Sequence, residues 1–256
     1  RTQFKTAPAV ELGHRLVELF EGELGKVFFI SSGSEAVESA LKLARQYFFA
    51  LGQPQRQRFV SLRPSYHGST MGALGMTGYQ PLEAPFTSMT HASIKVSGPD
   101  FYRHQECDDD THVDRILAET RAAMATAGPE SLIGFVIEPI GGASTGARLL
   151  GKRYLQGIRA LCDEFGCLLI ADEVLTGVGR TGTWFACQHY DVVPDILVTA
   201  KGLGAGYYPI GAMLARSAIV ETVMASGGFQ HGHTYAGNPL ACATGLAVLE
   251  AIVRED

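Results

Sequence analysis

The sequence has no apolar run long enough to cross a membrane: residues 132–137 stop at Glu138, and the other apolar runs are shorter. It also lacks a basic excess. With 21 Lys and Arg against 26 Asp and Glu, a net charge of −5 and a pI near 5.9, it offers no electrostatic footprint for nucleic acid. The longest like-charge run, Asp108-Asp109-Asp110, reads as a solvated loop. Five cysteines (Cys107, Cys162, Cys167, Cys187 and Cys242) are odd in number and form no C-x-x-C pair. That argues against a disulfide framework and for free thiols in a reducing cytosol, so a cytoplasmic location is expected. His231 and His233 have no accompanying acidic or cysteine cluster, and no metal site is expected. There is no internal repeat, no low-complexity segment and no secretory signal before the first helix. The chain opens on Arg1 and stops at Asp256 just past a helical pattern, so a piece of a longer protein is expected.

What is present describes a soluble, well-buried globular protein: 46% hydrophobic residues, 18% charged and a mean hydropathy of +0.09. Hydrophobic periodicity alternates between strand and helix, the pattern of an α/β domain. Strands are expected at 27–31, 59–62, 93–96, 133–138, 168–174, 196–200 and 212–215. Helices are expected at 9–20, 35–51, 113–127, 153–165, 218–225 and 239–253. Several strands are continuous apolar runs, as required where helices cover both faces of a sheet. The expected fold is a three-layer αβα sandwich around a mostly parallel seven-stranded sheet. Residues 83–110 are the least regular and could border a site.

Ligands in open α/β sheets bind outside the carboxyl ends of the strands. Those positions hold Ser32-Gly33-Ser34, Tyr66-His67-Gly68, Glu138, Asp172 and Lys201. Lys201 follows an apolar strand and opens a glycine-spaced loop. A lysine desolvated there loses the water that favours its ammonium form and becomes a nucleophile able to form Schiff bases with carbonyl compounds. The alternative is an ordinary lysine closing a strand. Ser32 with Glu35 fits a capping box, and small residues at a helix start leave N–H groups for an anion; taken alone, the segment reads more readily as a simply well-capped helix. Asp172 is costly in so apolar a strand unless a cation or hydrogen-bond donor meets it. A protonated pyridinium nitrogen would serve, and so would Arg180. Strand alternation puts Val174 on the same side, where it could lie against a flat ring. Tyr66 could stack on the opposite ring face or merely pack. Residues 177–182 match G-x-G-x-x-G after a strand, but the next strand ends in Lys201 and carries its one acid, Asp195, at its start. That argues against an NAD(P)-binding dehydrogenase.

With these residues assembled, the chain resembles the class III (ω-type) pyridoxal-phosphate aminotransferases of fold type I. The segments that carry the resemblance are SSGSEA (31–36), YHG (66–68), EP (138–139), ADEV (171–174), TGVGRTG (176–182), AKGL (200–203) and HTYAGNP (233–239). They occur in the family's order over nearly the whole chain. The resemblance implies that residues 1–256 are the pyridoxal-phosphate-binding large domain, without the family's start of chain and C-terminal small domain. It implies an enzyme that moves an amino group from an amine or amino acid to a keto acid. Lys201 would hold the cofactor and shuttle a proton; Asp172 would partner the pyridine nitrogen. Gly33 and Ser34 would bind the phosphate, Tyr66 and Val174 would flank the ring, and Glu138 would be an acid near the cofactor. Thr234 would reach the phosphate of the neighbouring subunit, which implies a homodimer with shared active sites.

Two departures bear on substrate. Leu175 stands where many relatives carry a polar residue that can bond the cofactor's phenolic oxygen. Ala143 stands where several carry a glutamate that pairs with a substrate-gating arginine, so a broader ω-amine or amino-acid substrate is expected. An aminomutase, racemase, decarboxylase or lyase on the same cofactor, and an inactive fragment, are the competing expectations.

Overall fold

Seven short apolar segments form one sheet in the computed structural model, which describes residues 5–20, 22–103, 107–142 and 144–255. The strands are β1 (Lys26–Ile30), β2 (Arg58–Arg63), β3 (Ile94–Ser97), β4 (Leu132–Ile137), β5 (Leu168–Asp172), β6 (Ile196–Thr199) and β7 (Gly211–Ala215). Their spatial order is β1-β7-β6-β5-β4-β2-β3. Pairing is parallel from β3 through β6, while β7 runs antiparallel to both its neighbours, β6 and β1. Strand β1 therefore points the same way as β2 to β6, and β7 alone is reversed. The αβα sandwich with a mostly parallel seven-stranded sheet is borne out.

The helices are α1 (Ala7–Glu18), α2 (Gly33–Ala50), α3 (Met71–Met76), α4 (Gln80–Glu83), α5 (Asp109–Ala127), α6 (Lys152–Phe165), α7 (Ser217–Ala225) and α8 (Pro239–Glu255). Side-chain alternation sorts the sheet's apolar residues into two cores. Leu169, Ala171, Leu197 and Leu214 pack with residues of α1, α5, α6 and α8 on one face. Leu168, Ile170, Ile196, Val198 and Met213 pack with residues of α2 and α7 on the other. Both faces of β4, β5 and β6 are buried, which is why these strands read as unbroken apolar runs.

Periodicity missed α3 and α4. Helix α3 is six residues with two glycines, too short to show a stripe, and its Gly75 lies so close to the His91 carbonyl that a Cβ would sit 2.5 Å from the oxygen. Strand β5 ends at Asp172, two residues before the expected end. Beyond it Glu173 turns inward, and its carboxylate accepts the N–H groups of Ala186 (3.0 Å) and Cys187 (2.8 Å) and the Thr176 hydroxyl. This buried carboxylate organises the glycine-rich loop 176–182, which leads into a 3₁₀ turn over Ala186–Tyr190 and not into the long helix a dinucleotide fingerprint needs. Asp195, the acid considered for that role, is held by Arg159 at 2.8 Å and Arg216 at 3.2 Å. Among the described residues no helix is long and apolar enough to cross a membrane.

Candidate active site

The parallel arrangement delivers the carboxyl ends of β1, β5 and β6 to one sheet edge, and the reversed β7 delivers its beginning there. A cavity of about 840 Å³ opens at that edge. It is lined from β1 by Ser31 to Ser34, from β5 by Asp172, Val174 and Leu175, from β6 by Ala200 and Lys201, and from the approach to β7 by Tyr208, Pro209 and Ile210. The loop after β2 adds Tyr66, His67 and Gly68, and the end of β4 adds Glu138. Seven of the eight expected site residues therefore share one cavity. Residues 83–110, considered as a possible border, contribute none of its described lining.

Each wall has a local cause. Ser32 caps α2, its hydroxyl accepting the Glu35 N–H at 3.2 Å, while Glu35 reaches back to the Ser31 N–H at 2.8 Å. The expected capping box is present with its return bond one residue earlier. As first-turn groups, the N–H bonds of Gly33 and Ser34 have no acceptor within the helix and are available to an anion. Gly33 is pressed against Val174: a Cβ there would lie 2.7 Å from Val174 Cγ1. Ser34 Oγ accepts the Ser69 N–H at 3.1 Å, which binds the loop after β2 to the start of α2. Asp172 is buried, and one oxygen accepts the Val174 N–H at 3.1 Å. That bond, and not strand alternation, sets Val174 beside it.

The partner of Asp172 was not among those weighed from sequence. It is His67, whose Nδ1 lies 2.8 Å from Asp172 Oδ2 with its side chain fully buried. His67 Nε2 is buried without a partner among the described residues. The signal was available, since an acid in an apolar strand requires a donor; what sequence could not supply was that three crossovers, through β3 and β4, bring residue 67 to residue 172. Arg180, the candidate weighed for this place, is exposed.

Glu138 works on the frame of the cavity. Its two oxygens accept the N–H groups of Tyr66 (3.0 Å) and Gly142 (2.9 Å). Burial pushes its carboxyl above the ordinary 4.5; His67 opposes the shift, Asp172 adds to it and the two N–H bonds oppose it. A carboxyl raised in the fold contributes stability that is complete below about pH 4.5 and is lost as pH rises through the folded value. Glu138→Gln is expected to flatten that fall, read from urea unfolding between pH 4 and 7. A methyl at Gly33 is expected to cost about 1–3 kcal/mol by overpacking against Val174; urea titration of Gly33→Ala measures it.

One expectation is corrected, the dryness of Lys201. Lys201 is exposed, two residues past the end of β6 at Thr199, so the apolar strand alone does not dry it. Its backbone is in the left-handed region at φ 33°, a conformation costing about 1–3 kcal/mol for a residue with a side chain. Thr234 lies on a different cavity, of about 1220 Å³, and is exposed; this chain's own Thr234 does not line the site of Lys201. Leu175 does line it, presenting an apolar side chain. Ala143 lies outside the described residues.

A flat, anionic, aldehyde-bearing molecule suits this donor set: helix-start N–H groups, a glycine wall backed by valine, a tyrosine, a buried carboxylate with its histidine, and a primary amine. The comparisons agree with that chemistry. The family described as Aminotransferase class-III matches residues 1–256. A probable aminotransferase of Mycobacterium tuberculosis is 39% identical over 98% of this chain and 54% of its own length. An adenosylmethionine-8-amino-7-oxononanoate aminotransferase of Anoxybacillus flavithermus is 38% identical over 97% and 55%. Among solved structures, an (S)-enantioselective omega-transaminase from Thermomicrobium roseum superposes with a TM-score of 0.94 at 38% identity, covering 99% of this chain and 57% of that one. An amine transaminase from an uncultivated Pseudomonas species, in its PLP-bound form, gives 0.94 at 36%, covering 99% and 59%. The chain thus spans about half the length of the curated relatives it matches. With a family pattern satisfied from end to end and relatives near two-fifths identity across almost all of it, the chain belongs to the class III aminotransferases.

Proposed function

We propose that the protein is a pyridoxal-phosphate-dependent aminotransferase that moves an amino group from an amine or amino-acid donor to a keto acid. The observation that carries this is the sharing of one 840 Å³ cavity by Lys201 and the buried Asp172, with Tyr66 and Val174 on its walls. Pyridoxal phosphate, when bound, supplies an aldehyde that condenses with amines and a ring that stabilises negative charge at the donor's α-carbon. Lys201 Nζ would hold the cofactor and would move the proton taken from the donor's α-carbon. The Asp172 carboxylate, oriented by His67 and the Val174 N–H, would keep a proton on the ring nitrogen. Gly33 and Ser34 N–H groups hold the phosphate at the start of α2. Tyr66 and Val174, both on the cavity wall, would flank the ring. Glu138 fixes the Tyr66 backbone and the Gly142 turn.

Residues 1–256 form the cofactor-binding large domain in this proposal. A homodimer supplies the partner subunit's phosphate contact through Thr234, in accord with its exposure and its distance from this chain's own site. Dimerisation also provides the cover that Lys201 lacks in the single chain. Cys162, Cys167, Cys187 and Cys242 are buried free thiols, which supports a cytoplasmic setting. Ala143, in place of the glutamate of several relatives, favours an ω-amine or a broad range of amino acids as donor. The test is a half-reaction: the protein loaded with pyridoxal phosphate and given a simple amine should form one equivalent of pyridoxamine phosphate per site. Product without pyridoxamine phosphate would assign it instead to an aminomutase, racemase, decarboxylase or lyase.

A further inference from the structure

A second polar cluster lies outside the cavity, centred on Lys95 in β3. Lys95 Nζ donates to the carbonyl of Met76 at 2.6 Å, to that of Gly75 at 3.1 Å, and to Ser61 Oγ at 3.1 Å. Gly75 and Met76 are the last two residues of α3, where carbonyls have no donor within the helix. Ser61 Oγ also donates to the Met76 carbonyl at 2.7 Å and pairs with Ser93 Oγ at 2.6 Å, so the end of α3 is gripped from β2, β3 and the residue before β3. Thr77, the next residue, is fully buried. Its Oγ1 accepts the His67 N–H at 3.0 Å, and the His67 ring holds Asp172 at 2.8 Å. A continuous series of contacts therefore runs from Lys95 through the end of α3, Thr77 and His67 to the carboxylate of the site.

We propose that Lys95 is a positioning residue: it fixes the end of α3 so that Thr77 holds His67 where the histidine orients Asp172. This inference rests on the proposed role of Asp172. A lysine that served only solubility would keep its amine in water, whereas withdrawing it is costly unless the hydrogen bonds it gains hold something in place. Burial pushes Lys95 from 10.5 down to about 7, with the Glu83 carboxylate opposing and the Arg63 guanidinium adding to the shift. In either protonation state Nζ carries hydrogens for both helix-end carbonyls. Its hydrogens are committed to the frame, which argues against the adjoining 380 Å³ pocket using Lys95 to bind a ligand.

The test reads His67 directly, by ring ¹⁵N resonances in the ligand-free protein, alongside the dissociation constant for pyridoxal phosphate. Lys95→Met is expected to displace the His67 resonances and raise that constant about tenfold. Thr77→Val, which breaks the next link, should displace the same resonances. Arg63→Gln, which faces Lys95 without touching the carbonyls, should leave both readouts unchanged. A folded Lys95→Met protein of lowered melting temperature but parental His67 resonances and affinity would overturn the proposal, leaving Lys95 as mere packing. If Lys95→Met does not fold, Lys95→Gln, which keeps a donor but loses reach, is judged by the same two outcomes. Should the parent protein bind no pyridoxal phosphate, the functional proposal fails, while the ligand-free resonances still decide whether Lys95 positions His67.

Discussion

Replacing Lys201 with alanine is expected to leave pyridoxal phosphate bound without covalent attachment and to slow amino transfer by at least about a thousandfold. The magnitude follows from losing a positioned proton carrier, which commonly contributes about 10²–10⁴-fold, together with the covalent anchor. Cofactor should remain because the other residues proposed to hold it are untouched: the start of α2, the Val174 and Tyr66 walls, and the buried Asp172. Stability should fall little, and could rise, because Lys201 is exposed and sits at φ 33°, where alanine is no more strained than lysine. Exogenous small amines should restore part of the lost rate by doing the lysine's proton work. Single-turnover absorbance with saturating donor makes the measurement. A Lys201→Ala protein retaining a tenth of parental turnover would remove Lys201 from the catalytic role.

Asp172→Asn is expected to keep the cofactor and lose about a hundredfold to a thousandfold in turnover, the scale of removing one preorganised charge from a site. The amide preserves the shape of the carboxylate and can still accept the Val174 N–H, so the fold should persist. What it cannot do is hold a proton on a ring nitrogen by opposite charge. Asp172→Ala separates structure from chemistry. It strips the buried His67 ring of the partner at 2.8 Å, which should cost about 1–3 kcal/mol of stability. Thermal unfolding should show Asp172→Ala below Asp172→Asn, while both are slow enzymes. Equal turnover in Asp172→Asn and the parent would exclude the carboxylate as the ring-nitrogen partner.

The sheet was legible in the sequence because both faces of β4, β5 and β6 are buried, so those strands print themselves as apolar runs. The site was legible because parallel strands end together, which makes a shared edge of residues as distant as Ser34 and Lys201. Three things were not. Helix α3 is too short and glycine-rich for a 3.6-residue stripe, yet it carries the end that Lys95 grips. His67 was visible as the centre of Tyr66-His67-Gly68, but its bond to Asp172 depends on β2 and β5 standing either side of β4, an order that local patterns do not encode. The dryness expected around Lys201 was inferred from the strand before it, whereas Lys201 stands two residues beyond that strand's end and is exposed. For Thr234, only the resemblance suggested a partner subunit, and its absence from its own chain's cavity agrees with that.

The central claim is that one amine of this chain, and no other, engages the cofactor's aldehyde across from Asp172. The direct test is to incubate the protein with pyridoxal phosphate, reduce with borohydride, digest, and locate the modified lysine by mass spectrometry. The expected result is stoichiometric modification at Lys201 alone. Lys95 is the informative competitor, since burial brings it down to about 7 and leaves more of its amine uncharged near neutrality. Modification at Lys95, or scattered over several lysines with Lys201 intact, would contradict the account.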